Sequence, residues 1–195
     1  GTPQPNTPPA IVLALLLACY TGLRREDIVN LAWRDVGPHA ITMRARKSVR
    51  RAKTAKKKPP PPVVIPRTAD LNAVLELLRP EDEAKQPWVL ANSRGKKWTP
   101  DGLSSTFFKV RNAANGNTGI THQPDESSAE PIDKTFHDAR GTFVTHMRML
   151  GFAKEEVAEM VGWTTADVDR VAKRYADAER IALAWLERLK RKAAG

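Results

Sequence analysis

The feature that most constrains the fold is an unbroken apolar run, AIVLALLLAC, over Ala10–Cys19. A helix that spans a bilayer needs about 20 consecutive apolar residues, so this run is too short to cross a membrane. No basic segment precedes the run, as a signal peptide would require. The run therefore predicts a buried core helix, and Gly22, in the segment YTGL, is placed to end that helix as a C-cap.

The charge of the chain favours a polyanionic partner. The sequence has 32 Lys and Arg against 22 Asp and Glu, which gives a formal charge of +10 and a pI of about 10.0. Nucleic acid is the commonest partner of such a protein, and a ribosomal or membrane-surface role would also fit the charge. Cys19 is the only cysteine, so no internal disulfide can form. We therefore expect a cytoplasmic protein.

Residue patterning predicts an α+β domain that is mainly α-helical, with a small three-stranded antiparallel sheet. The segments WRDV, HAITMRAR and VVIP are short, rich in β-branched residues and separated by turn signals. Between the last two lies KSVRRAKTAKKKPPPP, a cationic loop whose four prolines favour an extended conformation. Asn115–Pro131 is polar and predicts a long surface loop, and the sequence from Phe136 onward is almost entirely helical in pattern. The Pro-rich residues 1–9 predict a linker, followed by one domain over residues 10–195.

The remaining candidates for chemistry are cations. The histidines show no zinc-ligand spacing, and neither a P-loop, a GxGxxG segment nor a GxSxG nucleophile elbow is present. Arg24 stands at the start of a predicted helix, just after Gly22. His137 and Arg140 are three residues apart, which places them on one face of a helix. Because a guanidinium offers a planar fork of donors that matches two phosphate oxygens, this set could clamp a phosphate.

Four segments, in the same order along the chain, resemble the signatures of the tyrosine recombinase (phage integrase) family. YTGLRREDIVNLAWRDV resembles the first signature, T-G-L-R-x-x-E/D, and TFHDARGTFVTHM resembles the second, H-x-L-R-H/G-T. LGFAKEEVAEMVGW resembles the segment that leads to the family's LGH or GW position, and RVAKRYAD lies where the family has its nucleophilic tyrosine. The resemblance runs from Pro9 to Leu189 and implies the integrase-type catalytic domain, with its small sheet, over residues 10–195. It also implies that residues 1–9 are the linker from the family's N-terminal DNA-binding domain, which is missing.

The resemblance implies a role for each matched residue in the first two signatures. Arg24 matches the first catalytic arginine, and Asp27 matches the acidic residue that braces it. His137 and Arg140 match the H-x-x-R pair. Ala139 stands where the family usually has leucine, which is a change in packing alone.

The resemblance also implies a tryptophan, a nucleophile and a lysine in the site. Trp163 stands where most members have histidine; its ring can buttress the site and its indole N–H can only donate. Tyr175 matches the nucleophile, about one helical turn further from Trp163 than in many members. The catalytic lysine of the family lies on the turn between the second and third strands. Lys47 is preferred because its distance from WRDV fits without an insertion, and Lys53, in the literal dipeptide K-T, is the alternative.

The reaction that the resemblance implies is transesterification at a DNA phosphodiester, which integrates or excises a mobile element. Tyr175 would attack phosphorus, form a 3′-phosphotyrosyl link and release a 5′-hydroxyl, without metal, ATP or another cofactor. The implied partners are double-stranded DNA, further copies of the chain in a tetramer on DNA, and a directionality factor, with no membrane partner. The implied setting is a bacterial or phage-encoded protein at the nucleoid.

Two further segments fit DNA binding and assembly. A dense cluster of cations, here called the basic patch, would give salt-dependent affinity for the DNA backbone with little sequence information. Its members are Arg44, Arg46, Arg50, Arg51, Lys53, Lys56, Lys57 and Lys58. The predicted C-terminal helix, residues 178–193, has an apolar stripe. It packs either on its own domain or, as in the family, in trans on a neighbouring subunit.

Two alternative functions share this pattern. A type IB topoisomerase uses the same tyrosine chemistry, but the short chain and the integrase-type spacing argue against it. A catalytically silent DNA-binding accessory protein on the same fold is the other alternative. The presence of Arg24, His137, Arg140 and Tyr175 together weighs against that alternative.

Overall fold

The structure is a computed structural model that describes residues 9–59, 61–92, 94–117, 119–122, 132–175, 186 and 190. The side chains of residues 115–117, 122, 132 and 173–175 lie outside this description. The helices are α1 (Ala10–Thr21), α2 (Arg25–Ile28), α3 (Arg46–Thr54), α4 (Ala69–Leu78), α5 (Pro100–Asn117), α6 (Ala139–Leu150), α7 (Lys154–Val161) and α8 (Thr165–Tyr175). The strands are β1 (Ala40–Met43), β2 (Val63–Pro66), β3 (Thr121–His122) and β4 (Ile132–Asp133). Short 3₁₀ turns cover Trp33–Asp35 and Phe136–Asp138.

Helix α1 forms the centre of the core, as the apolar run predicts. Ala14, Leu17 and Ala18 are completely buried, and α1 packs against α4 and α6, with further contacts to α2 and α5. A helix that is apolar nearly all round is expected to be buried on most of its faces. The helix ends at Gly22, which has φ 61° and ψ 11° and donates its N–H to the Ala18 carbonyl. The predicted C-cap is therefore confirmed, and the mainly helical fold is confirmed with it.

The main sheet has two strands rather than the predicted three. Strand β1 pairs antiparallel with β2, so that Ile41 lies opposite Ile65 in the core. The segment WRDV instead forms a 3₁₀ turn, and Val36 makes only an isolated bridge with Ile41. The Asp35 carboxylate accepts the backbone N–H of Ala32 at 3.1 Å and holds this turn closed. Because its backbone donors are satisfied in this way, WRDV does not add a third strand to the sheet.

The cationic loop between β1 and β2 contains helix α3, which the sequence pattern did not predict. Arginine, lysine and alanine are good helix formers, and α3 is built mainly from them. The helix ends at Thr54. Two residues later Lys56 is left-handed (φ 52°), and the N–H of Lys57 donates to the Ala52 carbonyl at 2.9 Å. The prolines that follow stand outside the helix, as their missing N–H requires.

Three predicted segments lie wholly or partly outside the described residues. They are residues 1–8 of the predicted linker over residues 1–9, residues 118 and 123–131 of the predicted surface loop, and most of the predicted C-terminal helix. Of the C-terminal helix only Leu186 and Lys190 are described, and both are helical. None of the helices in the described ranges is both long and apolar enough to cross a membrane.

The junction after α1 yields a stability prediction. A Cβ on Gly22 would stand 2.8 Å from Cγ of Phe143, and the positive φ adds backbone strain. We expect Gly22→Ala to lower the free energy of unfolding by about 3 kcal/mol, because strain and overpacking add. Urea unfolding followed by circular dichroism measures this change.

Gly95 provides the matched control. It has φ 68° but open space where a Cβ would stand, so Gly95→Ala carries the strain alone, about 1 kcal/mol. Equal losses in the two variants would contradict the proposed clash with Phe143.

Candidate active site

The guanidinium of Arg140 is anchored inside the domain. Arg140 is 2% exposed; Nη1 donates to the carbonyl of Gly22, and Nη2 donates to the carbonyl of Val161 at 2.9 Å. These carbonyls stand at the C-terminal ends of α1 and α7, where helix dipoles favour a cation. Its Cζ lies 4.9 Å from the ring centroid of Trp163. Within the described part of the chain, Nε is buried without a hydrogen-bond partner.

Burial has a direct effect on the charge of Arg140. Desolvation, followed by the nearby charge of Arg24, lowers the pKa of Arg140 to about 9, and Asp27 acts in the opposite direction. The guanidinium therefore remains cationic at neutral pH. It supplies a fixed positive charge within the domain.

Asp27 connects α2 to the start of α3. Its carboxylate is 1% exposed and accepts the backbone N–H of Arg46, the first residue of α3, at 2.8 Å. Burial raises the pKa of Asp27, while the Arg46 N–H and the charges of Arg24 and Arg140 lower it. The hydrogen bond thus fixes the beginning of α3, the helix that carries Lys47. Asp27 interacts with Arg24 through their opposite charges.

An open cleft of about 420 Å³ brings three of the predicted site residues together. Arg24, Lys47 and His137 all line it. The other lining residues are Arg25, Glu26, Ser104, Phe107, Phe108, Thr135 and Phe136. Lys53, the alternative lysine, does not line the cleft; it lies almost two turns further along α3 and is exposed.

His137 stands in the 3₁₀ turn before α6, so it does not share a regular helix with Arg140. The turn is closed by Asp138, whose carboxylate accepts the N–H and the hydroxyl of Thr135 at 2.7 and 2.9 Å. His137 therefore faces the cleft while Arg140 points into the protein. Partial desolvation, and then the charge of Arg140, lower the pKa of His137 from 6.5; Arg24 and Lys47 act in the same direction and Asp138 opposes them.

Trp163 lies directly after α7, where its N–H donates to the Ala158 carbonyl at 2.9 Å. Its ring is partly buried against the core and faces the guanidinium of Arg140. A cation over an indole face is favourable, more so when both groups are shielded from water. The guanidinium of Arg140 therefore contacts the indole ring of Trp163 as well as the two carbonyl groups that accept its hydrogen bonds.

Tyr175 is the last residue of α8, and its side chain lies outside the described residues. The backbone of α8 packs against α6 and α7. Lys154 and Asp169 join α7 to α8 through an ion pair of 3.1 Å. The helix that contains Tyr175 is therefore packed directly on the helix that carries Arg140.

The basic patch runs along α3 and the residues that flank it on both sides. All eight of its residues are exposed. Arg50 pairs with Glu26 across α3 and α2 at 3.2 Å, a second contact that holds α3 in place. In the described ranges, no group of three or more His, Cys, Asp or Glu side chains could hold a metal ion.

The phage integrase family model matches residues 6–180. The chain belongs to the phage integrase family. No curated protein sequence matches this chain.

Solved structures of two integrases and one recombinase share the fold of this chain. A lambda integrase dimer bound to a COC′ core site has a TM-score of 0.62 and 16% identity, and the match covers 89% of this chain and 55% of that one. The Tn1549 transposon integrase in complex with transposon right end DNA has a TM-score of 0.53 and 17% identity, covering 91% and 58%. XerA recombinase has a TM-score of 0.52 and 14% identity, covering 97% and 66%. The chain spans about half the length of this lambda integrase.

Seven of the ten residues that line the cleft in this integrase-family chain are not among the predicted site residues, and Arg25, Ser104 and Phe108 are three of these seven. Arg25 donates a hydrogen bond to the hydroxyl of Ser104, and its guanidinium lies 3.7 Å from the carboxylate of Asp101. Phe108 lines the same cleft from α5. Ser104 and Phe108 are four residues apart, so their common helical face was the signal available in the sequence. Nothing in the sequence indicated that α5 borders Arg24.

The environment of His137 yields a pKa prediction with opposite signs for two variants. NMR titration should place the pKa of His137 below 6.5. Because a cation disfavours imidazolium and an anion favours it, Arg24→Gln should raise this pKa and Asp138→Asn should lower it further. The folded state then binds this proton less tightly than the unfolded chain, so its contribution to stability is present above about pH 6.5 and is lost as the pH falls.

The resonance of His137 is identified by its loss in His137→Gln. A pKa above 6.5 in the unmodified protein would contradict the site geometry. Shifts of the same sign in Arg24→Gln and Asp138→Asn would contradict it as well.

Proposed function

We propose that this chain is the catalytic domain of a tyrosine-type site-specific recombinase, which cuts and rejoins DNA strands through a 3′-phosphotyrosyl intermediate. The observation that carries this proposal is the meeting of Arg24, Lys47 and His137 at one open cleft. These groups come from α3 and from two segments far apart in the sequence, and they belong to a chain of the phage integrase family. A phosphate in the cleft would lie within reach of two cations and one proton acceptor.

The two arginines would stabilise the charge that develops on the phosphate. Arg24 lines the cleft and would bind a non-bridging oxygen. Arg140 lies further inside, and both of its Nη atoms donate to carbonyl groups. Two of its five N–H groups are used in this way, and Nε, which has no partner among the described residues, is one of the three donors that remain for an oxygen. Its charge also acts through space, as the lowered pKa of His137 indicates.

The proton transfers would divide between His137 and Lys47. Tyr175 would attack phosphorus as the P–O5′ bond breaks. His137, kept neutral at pH 7 by its lowered pKa, would accept the phenolic proton. Lys47 would give a proton to the leaving 5′ oxygen. Because the new phosphotyrosyl ester replaces a phosphodiester, the reverse attack by a 5′-hydroxyl rejoins the strand without an external energy source.

DNA binding and assembly are part of the proposal. The exposed basic patch would bind the DNA backbone, and such binding weakens as salt increases. Lambda integrase structures include a dimer on a core site and a tetramer on a Holliday junction, which supports a homo-oligomer on DNA here. In this proposal residues 1–9 are a linker, the C-terminal helix docks on a neighbouring copy, and a directionality factor acts with the assembly at the nucleoid.

A covalent trap tests the proposed function even when the target sequence has not been determined. The substrate is a library of random duplexes, each with a nick a few nucleotides to the 3′ side of the cleavage position. Cleavage then releases a short 5′-hydroxyl strand that diffuses away, so rejoining cannot occur. We expect DNA that remains bound to the protein in SDS, and its sequencing gives the preferred site.

Tyr175→Phe is the matched variant for this trap. It should retain DNA binding and form no adduct, because the ring lacks the attacking oxygen. An adduct that persists in Tyr175→Phe would overturn the assignment of the nucleophile. Binding without any adduct in the unmodified protein would favour the catalytically silent accessory protein.

A substrate with sulfur in place of the bridging 5′ oxygen tests the assignment of the lysine. A thiolate leaves without protonation, so a general acid becomes unnecessary. We expect Lys47→Ala to slow cleavage of the oxygen substrate by about 100-fold or more and to regain most of the rate on the sulfur substrate. Rapid-quench gels measure both rates.

Lys53→Ala is the control, because it removes the same charge from the same helix outside the cleft. It should leave both rates within about twofold after correction for DNA binding. Rescue by sulfur in Lys53→Ala, and not in Lys47→Ala, would transfer the assignment to Lys53.

A further inference from the structure

Part of the cleft lining is aromatic rather than charged. Phe107, Phe108 and Phe136 line the same cleft as Arg24 and Lys47. Phe107 and Phe136 are 7% and 6% exposed and meet edge to face with centroids 5.7 Å apart, so they belong to the core. Phe108 is 43% exposed. Of these three phenylalanine rings, that of Phe108 is therefore the one that a ligand can contact.

The exposed ring of Phe108 packs against Phe107 and Arg111. Its centroid lies 6.2 Å from that of Phe107, in an edge-on arrangement, and Cζ of Arg111 stands 4.9 Å from it. Arg111 is itself 8% exposed and is fixed by an ion pair of 2.9 Å with Asp133 and a hydrogen bond to the Lys134 carbonyl. These contacts fix the position of the half-exposed ring of Phe108.

The chemistry of the cleft identifies what the ring would meet. Arg24, Arg25 and Lys47 favour a phosphate at one part of the lining. At about 420 Å³ the cleft is far larger than a phosphate and lies within the range of pockets that hold small organic groups. Each phosphate of a DNA strand carries a nucleoside on either side, and every base has a flat face that can stack on an aromatic ring. A nucleoside next to the bound phosphate is therefore the group that fits beside Phe108.

We propose that Phe108 is a nucleoside-contacting residue: it stacks on the base next to the phosphate held by Arg24 and Lys47, and so partly unstacks that base from the duplex. Apolar side chains that enter a base step in this way are a known means of deforming DNA. The inference rests on the proposed function for the nature of the strand. Phe108 would then favour sequences whose base step opens easily at the cleavage position.

Fluorescence of 2-aminopurine tests this contact independently of cleavage. The probe replaces one base at a time along a duplex that the protein binds, and binding is measured in Tyr175→Phe, which leaves the strand intact. Because 2-aminopurine brightens when it leaves the base stack, we expect binding to raise its emission at one position. The added change Phe108→Ala should abolish the rise, and Phe108→Trp should retain a change in emission.

The rate of adduct formation provides a second readout in the protein with Tyr175. Loss of one aromatic stacking partner should slow the reaction or weaken binding by about 5- to 150-fold in Phe108→Ala. Val110→Ala is the matched control, since Val110 is 44% exposed on the same helix and does not line the cleft. It should leave both the emission and the rate unchanged.

The outcomes separate this inference from the proposed function. Absence of an adduct, with the Phe108-dependent rise in emission intact, would overturn the recombinase chemistry and support the nucleoside site. An unchanged emission in Phe108→Ala would overturn the stacking contact, even if the adduct forms more slowly. A change in sedimentation of Phe108→Ala without DNA would show that a second copy covers the ring, and would also overturn it.

Discussion

A cation buried away from water must find acceptors, because leaving it unpaired costs several kcal/mol. Arg140 finds them at the carbonyls of Gly22 and Val161, so the ends of α1 and α7 meet at one point. Arg24 comes two residues after the first carbonyl, and Trp163 comes two residues after the second. The contacts that satisfy Arg140 therefore also determine where the cleft begins and what covers the guanidinium. Gly22 permits this junction, since a side chain there would collide with the packed core.

Asp27 extends this arrangement to the third side of the cleft. Its buried carboxylate holds the first N–H of α3 and thereby places Lys47 beside Arg24 and His137. The ion pair between Glu26 and Arg50 holds the same helix one turn further along. One short helix, α2, thus positions a loop segment rich in cations that has few apolar residues with which to pack. The burial of Asp27 in this arrangement raises the pKa of its carboxyl group.

Features encoded locally could be predicted from the sequence, and features that depend on distant partners could not. The apolar run at Ala10–Cys19 and the following Gly22 specify a buried helix and its end by themselves. The third strand was predicted wrongly, because the capping by Asp35 and the hydrogen bond from Trp33 to the Pro87 carbonyl draw WRDV into a turn. The inward direction of Arg140 was equally hidden. The signatures indicate which residues belong to a site, and only the fold shows which of them face the cleft.

The proposed chemistry requires that this cleft join a DNA strand to Tyr175. Mass spectrometry of the denatured covalent adduct, after digestion with trypsin and a nuclease, detects that bond itself. We expect a nucleotide to remain attached through its 3′ phosphate to the peptide of residues 175–180, YADAER. A nucleotide on Tyr20, on a serine, or attached through its 5′ phosphate would contradict the proposed chemistry.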